Sequence, residues 1–180
     1  KAERDYYEYV IEEQSLPDVS IVINEINYHS SDEFDPGDWV ELYNPTTEVF
    51  DLSNWTFKDE VDDHLFEISE NVFLNPSAYI VLCEDSTSFK TLFPDVVNFI
   101  GDLNFGLSGG GELIRIFDST GALADTVYYD DIDPWPEEAD GNGPTLELIN
   151  PFEDNALAIN WSASEGYGSP GSIKDRKSTR

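Results

Sequence analysis

Five residues in the C-terminal half of the sequence have the types and spacing of a cation site. They are Asp130, Asp131, Asp133, Asp140 and Asn142. Calcium binds about six to eight oxygen atoms of carboxylates, amides and carbonyl groups, and neighbouring glycines let the backbone turn around the ion. The spacing is not that of an EF-hand loop. The pattern predicts either a calcium site or a long connection in which the same side chains stabilise turns.

A second acidic run, residues 59–64, ends in a histidine and could bind a divalent ion or form the solvated tip of a hairpin. Zinc is not expected, because His29 and His64 are too few for a zinc site, which needs three or four His or Cys ligands. The apolar residues before Cys83 and the two acidic residues after it indicate a buried, unreactive thiol.

Glu25 and Glu41 each lie within an apolar stretch, where a glutamate side chain can face inward. Two facing carboxylates about 5 to 10 Å apart can hydrolyse a glycosidic bond as an acid and a nucleophile or base. The alternative is that both accept hydrogen bonds from turn backbone groups or from a tryptophan N–H. The sequence has neither a phosphate-binding loop ending in Gly-Lys-Ser/Thr nor an H-E-x-x-H zinc motif. We therefore do not expect an enzyme.

Four aromatic residues are candidates for binding a sugar, because sugar rings stack on exposed aromatic faces. They are Trp39, Trp135, Tyr128 and Tyr129. Together with calcium they would form a calcium-dependent carbohydrate-binding module. The alternative is that these rings lie in the core, and periodicity alone does not decide between the two.

The net charge of the chain is -29, from 9 basic and 38 acidic residues. Between Pro17 and Ile173 the sequence has 32 acidic residues and only three basic ones, Lys58, Lys90 and Arg115. Such a surface repels phosphate groups, so we expect binding neither to nucleic acid directly nor to an anionic membrane. The expected partners are cations, basic protein surfaces and a saline solvent.

The length of 180 residues suits one domain with short extensions. The predicted domain covers residues 17–173. Residues 1–16 form an extension whose embedded tyrosines, valine and isoleucine predict a helix that docks on the domain. Residues 174–180 are basic and predict a disordered end or an expression remnant. The sequence has no apolar stretch of about 20 residues, so we expect no membrane span, and we expect a monomer.

The domain is predicted to be all-β, with short strands separated by turn residues, as in a sandwich. Strands are expected at residues 19–28, 39–44, 49–52, 56–58, 64–68, 79–83, 112–118, 126–129 and 145–148. One internal helix is expected at residues 86–93, with Ser86 or Thr87 as its N-cap.

Several short motifs follow one another in order along these strands. They are Ile23-Asn24-Glu25-Ile26, Asp38-Trp39-Val40-Glu41-Leu42-Tyr43-Asn44, Asp51-Leu52-Ser53-Asn54-Trp55, the glycine-rich residues 105–112, and Asn160-Trp161 followed by Gly168-Ser169-Pro170-Gly171. In this order they resemble the lamin tail domain, an immunoglobulin-like β-sandwich of nuclear lamins and many secreted bacterial proteins. The resemblance implies that Trp55 and Trp161 belong to the core, and that Glu25 and Glu41 are structural.

The resemblance also implies a function. It implies a non-catalytic interaction or structural module of a larger exported protein, located outside the cell or at its surface. The predicted calcium site of residues 130–142 would stabilise this module. The module would mediate adhesion or attachment to a protein, a cell surface or a polysaccharide. The DNA contacts of nuclear domains are not expected here because of the acidic charge, whereas basic proteins remain compatible partners. The alternative is the calcium-dependent carbohydrate-binding module of a secreted hydrolase.

Overall fold

The structure is a computed structural model that describes residues 21–172. Within this range the chain forms twelve β-strands and one α-helix. The strands are β1 (Val22–Asn27), β2 (Trp39–Tyr43), β3 (Phe50–Asp51), β4 (Thr56–Lys58), β5 (Leu65–Glu67), β6 (Phe73–Leu74), β7 (Tyr79–Cys83), β8 (Phe99–Ile100), β9 (Glu112–Phe117), β10 (Leu123–Tyr129), β11 (Leu146–Leu148) and β12 (Trp161–Ala163). Helix α1 (Ser86–Leu92) follows β7. The helix predicted for residues 1–16 and the tail predicted for residues 174–180 lie outside the described residues.

Two large sheets make up the domain. The six-stranded sheet has the order β12-β11-β1-β2-β7-β8, and the four-stranded sheet has the order β10-β9-β4-β5. Strand pairs are antiparallel except for β7 and β8, and β3 pairs with β6 in a small separate sheet. The predicted all-β, immunoglobulin-like sandwich with one short helix is confirmed.

The main core lies between the two large sheets. The six-stranded sheet contributes Ile26, Val40 and Leu82, and the four-stranded sheet contributes Phe57 and Ile114. Successive side chains of a strand point to opposite faces, so these residues mark the inner face of each sheet. The residues between them lie on the outer faces.

The outer face of the six-stranded sheet carries a row of residues in register. Glu147, Glu25, Glu41, Val81 and Phe99 lie side by side on β11, β1, β2, β7 and β8. The first three form a carboxylate half of the row, and the last two form an apolar half. Both halves are covered, which explains why all six residues of β1 are buried.

Helix α1 covers the apolar half. Its Phe89 packs edge-on against Trp39 with ring centroids 6.0 Å apart, and Val81 and Cys83 complete this second cluster. Cys83 is buried, as predicted, and burial raises the pKa of its thiol to about 12.

The helices within residues 21–172 lack the length and the apolar composition of a membrane-spanning helix.

Each predicted strand overlaps an observed strand. Predicted strands 56–58, 79–83 and 112–118 match β4, β7 and β9 to within one residue, whereas β6, β8 and β12, of two or three residues each, were not predicted. Helix α1 ends at Leu92, one residue before the predicted end, and the predicted N-cap is wrong. Asp85 is the cap, and its carboxylate accepts the N–H groups of Thr87 and Ser88 at 2.9 Å. Its charged side chain precedes the first helical residue and binds N–H groups that have no partner within the helix.

Candidate functional site

An open cleft of about 850 Å³ lies where β2 begins and β7 ends. It is lined by residues from three segments, 35–37, 84–88 and 102–106. The first two segments come together because β2 and β7 are antiparallel neighbours. The carboxylates that line the cleft are Asp35, Glu84, Asp85 and Asp102.

Asp38 connects two walls of this cleft. Its backbone N–H donates to Glu84 Oε2 at 3.2 Å, and its own Oδ2 accepts the N–H of Leu107 at 2.6 Å. Gly106 packs closely on both side chains, because a Cβ there would lie 3.0 Å from Asp38 Oδ2 and 3.4 Å from Glu84 Oε1. The cleft is therefore held in shape by hydrogen bonds and close packing.

The Asp38 carboxyl titrates near neutral pH. Burial raises its pKa to about 7, the Leu107 N–H opposes this rise, and the charges of Glu84, Asp35 and Glu112 add to it. A neutral carboxyl is favoured there because the charged form is partly cut off from water and faces other carboxylates. Asp38 therefore adds a negative charge next to the cleft as the pH rises through 7.

Two carboxylates of the cleft remain ionised at neutral pH. Hydrogen bonds from Ser88 lower the pKa of Asp85, and hydrogen bonds from Ser86 lower that of Asp102. Phe105 also lines the cleft, but it is only 7% exposed and its ring stacks on Phe57 and His64. The attraction of the cleft for a lysine or arginine side chain comes from its carboxylates. The arrangement is therefore suited to binding a cationic side chain.

The three Lys and Arg residues among residues 21–172 all bind oxygen atoms of the domain itself. Lys58 donates to the carbonyl of Asp62 at 2.9 Å, and Lys90 donates to two carbonyls just after α1. Arg115 forms an ion pair with the Asp62 carboxylate at 3.0 Å. Their head groups are used internally, so most of the acidic surface has no basic neighbour in the described part of the chain.

Two of the predicted calcium ligands stabilise a turn. Asp140 Oδ1 lies 2.6 Å from His29 Nδ1, and the Asn142 amide donates to the Asp140 carbonyl at 2.7 Å. The Gly141 N–H donates to the His29 carbonyl at 3.1 Å. These contacts hold the turn against the end of β1, which is the role that the alternative interpretation assigned to it.

The other three predicted ligands lie in the preceding segment. A hydrogen bond between the side chains of Asp130 and Asp131 raises the pKa of Asp131, and Asp133 is exposed. No three His, Cys, Asp or Glu side chains within residues 21–172 are grouped as a metal site requires. The five residues therefore do not form a ready-made site, and calcium binding here stays a prediction.

Three of the four predicted sugar-binding rings are buried, so that prediction is wrong for them. Trp39 and Tyr129 are 0% exposed, and Trp135 is 8% exposed. Trp135 packs against Trp161 with ring centroids 5.9 Å apart. Of the four, only Tyr128 is exposed, because it occupies the outward-facing position next to the inward-facing Tyr129 on β10. One ring does not form a stacking platform.

The acidic run of residues 59–64 forms the tip of the β4–β5 hairpin. Asp59 is buried, accepts the N–H of Val61 at 2.7 Å and lies 2.6 Å from His64 Nδ1. Arg115 donates to the carbonyl of Asp59 at 2.5 Å. The run therefore stabilises the hairpin and its contact with β9.

Residues 106–110 have the letters of the G-x-S-x-G motif of hydrolases. In those enzymes the serine lies on a sharp turn between a strand and a helix. Ser108 lies instead on an exposed turn before β9, and its hydroxyl accepts the N–H of Gly110 at 3.3 Å. The motif forms a turn here and does not present a nucleophile.

The sequence profile of the lamin tail domain family matches residues 14–131. The chain belongs to the lamin tail domain family. Lamin tail domains are immunoglobulin-like, are not known to be catalytic and often serve in interactions. A comparison with curated proteins gives no match. Strands β11 and β12 follow the matched range and complete the six-stranded sheet.

The paired glutamates of this lamin tail domain hold backbone groups. Glu25 accepts the N–H of Ser169 at 2.9 Å and the hydroxyl of Thr145 at 2.6 Å, and Glu41 accepts the N–H of Gly171 at 2.5 Å. The interpretation that both glutamates bond turn backbone groups is confirmed. Trp55 and Trp161 are buried, as the family resemblance implies.

Sequence spacing does not predict the acidic cleft of this lamin tail domain. Its carboxylates come from three distant segments, and each of them alone has the pattern of a turn or a helix start. One signal was available, since acidic residues border the predicted strands 39–44 and 79–83. Antiparallel pairing of those two strands would have placed Asp38 beside Glu84.

Proposed function

We propose that this lamin tail domain is a non-catalytic binding module that attaches a larger exported protein to a cationic protein surface outside the cell. One observation carries the proposal: the acidic surface is uncompensated. The sequence between Pro17 and Ile173 has 32 acidic and only three basic residues, and the charged groups of these three basic residues bind oxygen atoms of the domain itself. Such a field attracts basic surfaces and accelerates association. The interaction roles of the family support it.

The acidic cleft is the preferred contact point within this surface. Asp85 and Asp102 are ionised there, and Asp35 and Glu84 line the same cleft. Contacts at a concave site lose less of their electrostatic attraction to solvent than contacts on an open surface. We therefore expect the cleft to contribute more to binding than acidic residues elsewhere.

The proposal is tested by measuring how the full chain binds poly-L-lysine, with neutral dextran and poly-L-glutamate as reference surfaces. We expect binding to poly-L-lysine alone, with an affinity that falls steeply between about 50 and 500 mM NaCl as charges are screened. Binding that does not depend on salt, or equal binding to dextran, would contradict the proposal.

A pair of matched variants tests the role of the cleft. Asp35→Asn combined with Glu84→Gln removes two cleft charges, and Asp95→Asn combined with Glu138→Gln removes two exposed charges elsewhere. We expect the cleft variant to lose several-fold more affinity for poly-L-lysine than the control. Equal losses would assign binding to the overall charge and not to the cleft.

Calcium stabilisation is a second proposal, confined to the connection between β10 and β11. It is supported by the contact between the side chains of Asp130 and Asp131. Two adjacent carboxylates repel each other when both are ionised, and a bound cation would remove that repulsion. Carbonyl oxygens and water would have to supply the remaining ligands. Its test is an ion titration of thermal stability.

A further inference from the structure

The connection between β11 and β12 exposes four large apolar side chains. They are Ile149, Phe152, Leu157 and Ile159, which are 45%, 67%, 51% and 80% exposed. We call these four residues the apolar patch. Single exposed apolar residues are common, but several on one short connection indicate a contact surface.

The connection that carries the apolar patch is firmly anchored. The backbone N–H of Ile149 donates to the carbonyl of Asn160 at 2.8 Å, which closes the connection at its base. The indole N–H of Trp161 donates to the carbonyl of Asn155 at 2.8 Å, and both of these residues are buried. The patch is therefore presented on a fixed backbone.

The apolar patch lies where the chain enters the domain. The side-chain amide of Asn155 donates to the carbonyl of Ile23 at 3.3 Å and to Asp125 Oδ2 at 2.7 Å. Asp125 Oδ2 also accepts the N–H of Ile23 at 2.7 Å. Since β1 and β11 are antiparallel, the start of β1 lies beside the end of β11. The start of β1 therefore lies next to the connection that carries the patch.

The segment that precedes Ile21 contains apolar side chains of its own. Within residues 6–16 they are Tyr6, Tyr7, Tyr9, Val10, Ile11 and Leu16. An extended chain spans about 3.3 to 3.6 Å per residue, so the nine residues between Ile11 and Ile21 are long enough to reach any part of the connection. A short covalent link also gives the segment an effective concentration of about millimolar at the patch.

We propose that the N-terminal segment, residues 6–16, binds the apolar patch of its own domain. Burial of apolar surface drives this contact. Charge does not, because the segment contains Glu8, Glu12 and Glu13, and the patch is bordered by Glu153 and Asp154. Screening of these like charges should strengthen the contact as salt is added. The proposed binding of a cationic partner should instead weaken as salt is added. The two proposals therefore predict opposite salt effects, and one can be disproved without the other.

The test is a pair of engineered cysteines in the full chain. Cys83 is buried and does not compete for oxidation. Val10→Cys is combined with Ile159→Cys, and the control combines Val10→Cys with Val97→Cys, since Val97 is 84% exposed on the loop after α1. At low micromolar protein we expect the first pair to form an intrachain disulfide at least about tenfold faster than the control. We expect its rate to rise with NaCl concentration.

Equal rates for the two pairs would overturn the proposal. Disulfide-linked dimers in place of the intrachain product would also overturn it, because the patch would then bind a second copy of the chain. Neighbouring positions, Tyr9→Cys and Ile11→Cys, are tested with Ile159→Cys in the same way, because a disulfide tolerates little error in distance.

A labelling experiment gives an independent readout. The thiol of Ile159→Cys is modified with a small maleimide, once in the otherwise unchanged chain and once together with Val10→Ser and Ile11→Ser. We expect labelling to become at least threefold faster when the segment loses its apolar residues. The same two substitutions should not change the labelling rate of Val97→Cys. An unchanged rate at position 159 would contradict the proposal.

Discussion

Glu25 and Glu41 lie directly opposite each other on β1 and β2, and each accepts a backbone N–H from the same C-terminal turn. Ser169 donates to Glu25, and Gly171 donates to Glu41. Glu147, the next residue in the row, accepts the hydroxyl of Ser169 at 2.7 Å. A hydrolase would leave such a carboxylate pair open to substrate. Here the turn covers it.

The turn of residues 166–171 has the letters G-x-G-x-x-G of a dinucleotide-binding loop. It lies over a row of carboxylates, which would repel a pyrophosphate. Its glycines instead allow the backbone of the turn to pack closely against the sheet. Gly168 has a φ of +92°, and a Cβ there would lie 2.7 Å from Glu25 Oε1.

The first prediction concerns this close approach. Gly168→Ala should destabilise the domain by about 2 to 4 kcal/mol, because it combines a left-handed backbone with an overlap against Glu25 and Thr145. The measurement is urea unfolding followed by tryptophan fluorescence. Gly166→Ala is the matched control, since Gly166 has a φ of +66° but nothing within 4 Å of its Cβ position. If both variants lost the same stability, the contact with Glu25 would have no energetic role.

The sandwich could be predicted because its longer strands carry their own signals. Strands β7 and β9 combine β-branched, aromatic and apolar residues next to turn residues, and both strands form where this pattern predicts them. Strand β12 pairs with β11 over only three residues, and its position depends on that distant strand. Short strands of this kind are set by tertiary pairing and leave little trace in local sequence.

The aromatic residues show why the candidate site was harder to predict. Trp39 lies on the outer face of β2, where alternation alone would expose it. Helix α1, more than 40 residues later in the sequence, covers it through Phe89. Similarly, the acidic cleft depends on the pairing of β2 with β7, and no spacing along the chain encodes that pairing.

The second prediction concerns the pH dependence of stability. Asp38 has a folded pKa of about 7, raised by burial from an unfolded value near 4. Between these values the folded state holds a proton that the unfolded state has lost. The stabilising contribution of the protonated group is complete below about pH 4 and is lost as the pH rises through 7, with a slope of up to about 1.4 kcal/mol per pH unit.

Asp38→Asn should remove this component, because an amide stays neutral and its oxygen can still accept the Leu107 N–H. The free energy of unfolding is measured in urea at several pH values from 4 to 8 for both proteins. We expect the variant to gain stability relative to the parent as the pH rises. Asp95→Asn, at an exposed position, should run parallel to the parent. A parallel profile for Asp38→Asn would show that Asp38 titrates normally.

The third prediction concerns the cover of the outer face. Phe89→Ala should cost about 3 to 5 kcal/mol, because Phe89 is fully buried against Trp39 and its removal leaves a cavity under α1. Val97→Ala, at an 84% exposed position on the same side of the fold, should change stability by less than about 0.5 kcal/mol. Urea unfolding measures both. A small loss for Phe89→Ala would mean that α1 contributes little to the domain.

The fourth prediction concerns ions. The full chain, stripped with a chelator, is melted with calcium, with magnesium and with sodium chloride at matched ionic strength. If calcium binds near Asp130 and Asp131, submillimolar calcium alone should raise the melting temperature by several degrees, since a ligand at 100 times its Kd adds about 2.7 kcal/mol.

Asp131→Asn should abolish that calcium response, whereas Asp95→Asn should retain it. General screening of the surface charge has a different signature, because it requires much more salt and does not distinguish the cations. If calcium raised the melting temperature no more than magnesium or sodium chloride did, the calcium proposal would be wrong. The acidic side chains would then interact only with solvent and with basic partners. The hydrogen bond between Asp130 and Asp131 would stabilise a turn, and Asp131 would stay protonated to higher pH because its pKa is raised.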